Sequence, residues 1–146
     1  MIITSPAFED NATIPEKYTC DGGDINPELH IHNVPEDAVS LALVVDDPDA
    51  PGGTFTHWTV WNIDPKTTRI KEESVPSNGV EGMTSFGRVG YGGPCPPPGK
   101  PHRYYFKLYA LKDMLNLPNG TTIKEFEAEK ERHLIEKAEL IGLYGR

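Results

Sequence analysis

The sequence predicts a mostly β domain with long Pro- and Gly-rich loops and one C-terminal helix. Three observations carry this reading. Short apolar runs at 40–45 and 57–63 stop at clusters of Asp, Pro and Gly that have to turn. The stretch 102–111, "HRYYFKLYAL", alternates along its length and so reads as a half-buried strand. Proline and glycine supply 14 residues each, with no repeat period, which suits many short strands joined by irregular connections. At 146 residues the chain fits one domain over 1–146, since two halves of this size would each be marginal.

Taken in order, "ELHIHNVP" (28–35) reads as an early strand and "SLALVV" (40–45) as a buried one ending at "DDPDAPGG". "HWTVWNI" (57–63) is the next strand, closed by "DPKTT", and 64–90 reads as long loops with short extended pieces. In 102–111, His102, Tyr104, Phe106, Leu108 and Ala110 form the face expected to be buried, and Arg103, Tyr105, Lys107 and Tyr109 the other. Thr122 and Glu125 fit a capping box that opens a helix. Ile123, Phe126, Leu134, Ile135, Ala138 and Ile141 continue it as an apolar stripe to a stop near Gly142.

A net charge of −8 with no basic stretch longer than two residues argues against nucleic acid and against adsorption to anionic membranes. No apolar run approaches ~18 residues, so no transmembrane segment is expected. The opening "MIITSPAFED" lacks a secretory leader pattern, which points to a cytoplasmic protein. Cys20 and Cys95 have no metal-like spacing; a single disulfide is one reading, and two free thiols in a reducing compartment is the stronger expectation.

Three segments carry chemistry: "DDPDAP" (46–51), "THW" (56–58) and "GGPCPPPGKPHRY" (92–104). Each sets a polar titratable group at the end of an apolar run, where loops gather and sites are built. If their stretch is extended, Asp47 and Asp49 face one side; His57 and His102 each open a strand, with Tyr104 one pleat beyond His102. Together they favour a small anion, because imidazoles donate charge-assisted hydrogen bonds worth roughly 1.5–3 kcal/mol each. A neighbouring Asp would keep such a ring protonated. Five prolines ahead of His102 would stiffen the wall, with one or more X-Pro bonds such as Ala50–Pro51 in the cis form.

Each feature also has an ordinary explanation: an Asx-type turn, a satisfied strand-end histidine, a stiff connector. A hydrolase is the weaker alternative, since no Gly-x-Ser-x-Gly element occurs and Cys95 has only His102 as a conceivable partner. Asp47, Asp49, His57 and His102 are zinc-ligand types, but in no zinc-like spacing, and His30 and His32 read as a solvated strand face; neither metal nor cofactor is expected.

In this order, "DDPDAP", "THWTVWNI" and "GYGGPCPPPGKPHRYYFKLYAL" resemble the two signature blocks of the phosphatidylethanolamine-binding protein family, which includes the Raf kinase inhibitor protein. The opening "TSPAFEDNATIPEKYTCDGGDINPEL" and the ending "RHLIEKAELIGLYGR" resemble its short bacterial and archaeal branch. The resemblance implies a sandwich of two antiparallel sheets with a pocket at one end for phosphate, acetate or phosphoryl-headgroup-like anions. On matching positions the pocket would be formed by Asp47, Asp49, Pro51 and His57, then Gly92, Gly93, Pro94, Pro96, His102 and Tyr104. His57, His102 and Tyr104 would contact the anion, Asp47 would orient a histidine, and Gly92 and Gly93 would bring backbone amides close. The resemblance leaves inhibition of a protease or kinase as the alternative function, and open strand edges leave room for a homodimer. Two departures stand out: Ile31 replaces the branch's usual Trp, and the terminal helix of longer members is missing after "LIGLYGR".

Overall fold

The computed structural model describes residues 1–146. Its strands are β1 (Ile2–Thr4), β2 (Ala12–Thr13), β3 (Leu29–His32), β4 (Ser40–Asp47), β5 (Phe55–Ile63), β6 (Arg69–Ile70), β7 (Val80–Glu81), β8 (His102–Leu111) and β9 (Leu134–Tyr144), with one α-helix, α1 (Ile123–His133). The strands form two sheets, β1-β3-β6 and β2-β9-β8-β4-β5-β7. Pairing is antiparallel throughout except at one edge, where β2 runs parallel to β9. The fold is thus the mostly β sandwich expected, with a mixed large sheet.

One face of the large sheet packs on the small one. Leu41, Leu43 and Val45 of β4, Trp58 and Val60 of β5, and Tyr104, Phe106 and Leu108 of β8 meet Ile3, Leu29, Ile31 and Ile70. Ile31 is 1% exposed and part of this core. The other face carries a smaller core in which Ala42, Val44, Trp61, Tyr109 and Leu111 pack against Phe126 of α1. Alternation along β8 therefore holds from His102 to Leu108 and ends at Tyr109, which α1 covers.

The capping residue is as expected: the Thr122 hydroxyl accepts from the Glu125 amide at 3.3 Å. The helix itself is shorter, ending at His133, and 134–144 forms β9 instead of three more turns. The physical reason is the sheet. β9 pairs with β8 from His102↔Tyr144 to Leu111↔Leu134, satisfying backbone groups that a helix would leave bare along the β8 edge. Its inward positions Ala138, Leu140, Gly142 and Tyr144 follow a period of two, which the apolar residues at 134, 135 and 141 obscure.

Two further expectations are overturned. Cys20 and Cys95 form a disulfide, with Cα atoms 5.4 Å apart, and neither is a free thiol. The 16–24 turn folds against the proline segment, where the Cys20 amide donates to the Pro94 carbonyl at 3.1 Å, so two cysteines distant in sequence become neighbours. A crosslink spanning 75 residues contributes roughly 2–4 kcal/mol. All X-Pro bonds, Ala50–Pro51 included, are trans.

Candidate functional site

At one end of the large sheet, a cavity of about 190 Å³ opens between the 47–51 turn, the start of β5, the 86–97 loop and the start of β8. Local chemistry explains each wall. β4 ends at Asp47 because the chain turns there: the Asp47 Oδ1 accepts from the Asp49 amide at 2.8 Å, an Asx turn. This reverses the side chains. Asp47 points inward, whereas Asp49 points out and grips the Arg103 guanidinium at 2.8 and 2.9 Å, which holds its carboxyl down at about 2. Asp49 consequently lies outside the cavity.

His57 reaches the cavity through a β-bulge. Val45 pairs with Trp58 and Asp46 with Thr56, so His57 is the extra residue on β5. With Trp58 and Val60 in the large core, strict alternation would have sent His57 to the opposite face. The bulge instead turns its ring to meet Tyr104 edge-on, with centroids 5.3 Å apart. The His57 Nδ1–H donates to the Gly92 carbonyl at 2.7 Å, which leaves Nε2 unengaged. Burial, opposed by that carbonyl and by Asp47, pushes the pKa of His57 below its ordinary value. A ring kept protonated by a neighbouring Asp, as expected from sequence, is not found at His57.

The Asp belongs to the other imidazole. His102 Nδ1–H donates to Asp47 Oδ2 at 2.7 Å, and that carboxylate is only 4% exposed. Tyr104 stands between the two rings, stacked on His102 at 6.5 Å. Its hydroxyl is buried and makes no well-formed hydrogen bond to the protein; its approach to Asp47, whose oxygens are both taken, falls short of one. Burial, then the Asp47 charge, raises its pKa above the ordinary phenol range, so it stays an O–H donor.

Of the expected site residues, Asp47, Pro51, His57, Pro96, His102 and Tyr104 line one cavity. Gly92, Gly93 and Pro94 form a second layer behind it. The Gly92 amide donates to the His57 carbonyl at 3.1 Å and the Gly93 amide to Asp24 Oδ1 at 2.7 Å, so neither amide is available to an anion. Gly93 must be glycine, since a Cβ there would collide with the Tyr18 carbonyl oxygen. The Pro94 carbonyl takes the Cys20 amide, and the disulfide and the Arg146 Nε bond to the Pro96 carbonyl (2.8 Å) clamp the wall from two sides.

Sequence reasoning missed Ala50, Phe55, Phe86, Cys95 and Pro97 as lining residues. Phe55 and Phe86 pack edge-on at 4.8 Å, and both rings approach His57. Phe86 lies in a loop with no periodicity to mark it; the aromatic character of position 55, just ahead of His57, was the one available signal.

At one end of the β-sandwich, two imidazoles anchored through Nδ1 and a buried tyrosine thus share one cavity. The chain belongs to the phosphatidylethanolamine-binding protein family, whose model matches residues 4–145. It is 50% identical to UPF0098 protein PH1269 of Pyrococcus horikoshii, over 97% of this chain and 75% of that one. It is 46% identical to a UPF0098 protein of Methanothermobacter thermautotrophicus, over 100% of this chain and 99% of that one. Among solved structures it resembles CT736 of Chlamydia trachomatis, described as a phosphatidylethanolamine-binding protein homolog, with a TM-score of 0.94, 39% identity and coverage of 99% and 97%. E. coli YbcL, described as a member of the mammalian family, gives a TM-score of 0.93 at 32% identity, with the same coverage. No helix of the chain is long and apolar enough to cross a membrane.

Proposed function

We propose that the cavity binds a small oxyanion, phosphate or a phosphoryl headgroup before a carboxylate, and that the protein acts through this binding rather than through catalysis. One observation carries the reading: the partnerless, buried Tyr104 hydroxyl shares a cavity with two imidazoles, each anchored through Nδ1. A buried polar group without a partner costs about 1–3 kcal/mol, and a ligand oxygen in the cavity would recover it. Absence of a Ser or Thr from the lining, and the capture of the Cys95 sulfur in a disulfide, support binding over nucleophilic chemistry.

Tyr104→Phe tests this without disturbing the packing. Removal of the hydroxyl is expected to leave the free protein as stable or up to about 1 kcal/mol more stable. The same change is expected to weaken inorganic phosphate about tenfold in calorimetry. Equal binding by the variant and the wild type would remove the site assignment.

A further inference from the structure

We infer that the cavity selects anions that bring a proton of their own, so that hydrogen phosphate binds where sulfate of the same shape is refused, with His57 as the selecting residue. This deepens the reading above, narrowing it to inorganic phosphate and to phosphate monoesters that still carry a P–O–H, and rests on it.

Most polar atoms around His57 are already engaged. His57 is 4% exposed, and its Nδ1 holds the proton given to the Gly92 carbonyl. A neutral imidazole with its proton on Nδ1 presents a bare lone pair at Nε2, which accepts and cannot donate. The charged and titratable groups facing the ring are Asp47 on β4, His102 and Tyr104 on β8, and Asp24 from the loops, with Tyr91 next to Asp24. Asp47 is occupied on both oxygens, by His102 and by the Asp49 amide. Asp24 holds the Gly93 amide, and the Tyr91 hydroxyl donates to the Tyr18 carbonyl.

No Lys or Arg lines the cavity. The guanidiniums around it are engaged elsewhere, Arg103 on Asp49, Arg146 on Asp21 and the Pro96 carbonyl, and Arg88 on the Tyr91 carbonyl and over the Phe86 ring. Positive charge inside can therefore come only from an imidazole, and the Asp47 carboxylate cancels the first such charge. A fully ionised oxyanion finds a lone pair at His57 Nε2 and, beyond Tyr104, only the Nε2 of His102, which donates only if that ring carries a second proton. The anion's charge is thus desolvated with its hydrogen bonds incompletely replaced. A P–O–H group points its proton at Nε2 while an unprotonated oxygen of the same phosphate accepts from Tyr104. Burial works the same way, because it resists protonation of His57 from solvent. Inorganic phosphate keeps at least one proton through neutral pH; sulfate keeps none.

The test is calorimetry of the whole chain with sodium phosphate and sodium sulfate at pH 7.5, in two buffers of different ionisation enthalpy. Phosphate is expected to bind at least about tenfold more tightly than sulfate, and sulfate to take up one proton more than phosphate does. The gap is expected to narrow as pH falls and His57 can charge. In His57→Gln the side-chain amide supplies a donor, and the phosphate-to-sulfate ratio is expected to fall to within about threefold. If that variant does not fold, the wild-type ratio and proton count decide alone. Sulfate within about threefold of phosphate in the wild type, with equal proton uptake, overturns the inference while leaving the anion site standing. If neither anion binds, the anion site itself fails and the selectivity fails with it.

Discussion

Asp46 and Asp47 are neighbours on β4, both almost fully buried, yet they serve opposite faces of the large sheet. Asp46 faces outward, where it pairs with Lys107 at 2.9 Å near the helix-covered core. There Lys130 lies 4.1 Å above the Tyr109 ring, held by Glu127 and Glu131. Burial raises Asp46 and pushes Tyr109 up to about 12. Asp47 faces the cavity, where the groups it supports keep unengaged atoms. Perturbed acidity occurs on both faces, so it does not by itself mark a site. What separates them is the neighbour: charged side chains and a helix on one face, a hollow on the other.

The comparison is sharpened most strongly by Phe126→Ala. Loss of this ring from the smaller core is expected to destabilise the protein by about 3–5 kcal/mol in urea denaturation. Phosphate affinity of the folded variant should stay within about twofold, because α1 contributes nothing to the cavity. A large loss of affinity would show the two faces to be coupled.

A smaller effect concerns pH. Since His57 binds its proton less readily folded than unfolded, its contribution is complete above the ordinary imidazole value of 6.5. Stability then falls as pH drops from there towards the lower folded value. His57→Gln is expected to flatten this part of the stability profile in the absence of anions, whereas an unchanged slope would place the cause elsewhere.

The smallest effect expected is that of Asp49→Ala. Although it lies two residues from Asp47, Asp49 is engaged with Arg103 outside the cavity, and phosphate affinity should change by less than about twofold. A tenfold loss would restore it to the site.

Much of this contrast is legible in the sequence, and the exceptions have physical reasons. The runs at 40–45, 57–63 and 102–111 all became strands, because apolar alternation bounded by turn residues leaves little else for them to do. Asp47, His57, His102 and Tyr104 were recognisable from their place at strand ends and from the order of the motifs. The Asp49 expectation failed because a side-chain-capped turn breaks the period of two within a single residue. Residues 134–141 carry apolar spacings that fit a helix, and only the unpaired β8 edge, a tertiary fact, decides for a strand. The Cys20–Cys95 pair depends on a loop docking that no local pattern reveals. The bulge that aims His57 is equally silent, since it exists only in the register with β4.

The most direct test of the anion site is a crystal of the protein grown in phosphate at neutral pH. The account predicts one phosphate in the cavity, with oxygens about 3 Å from the Tyr104 hydroxyl and from Nε2 of both His57 and His102. A cavity that stays free of phosphate while the ion sits elsewhere, or a Tyr104 hydroxyl bonded to another protein group, would contradict it.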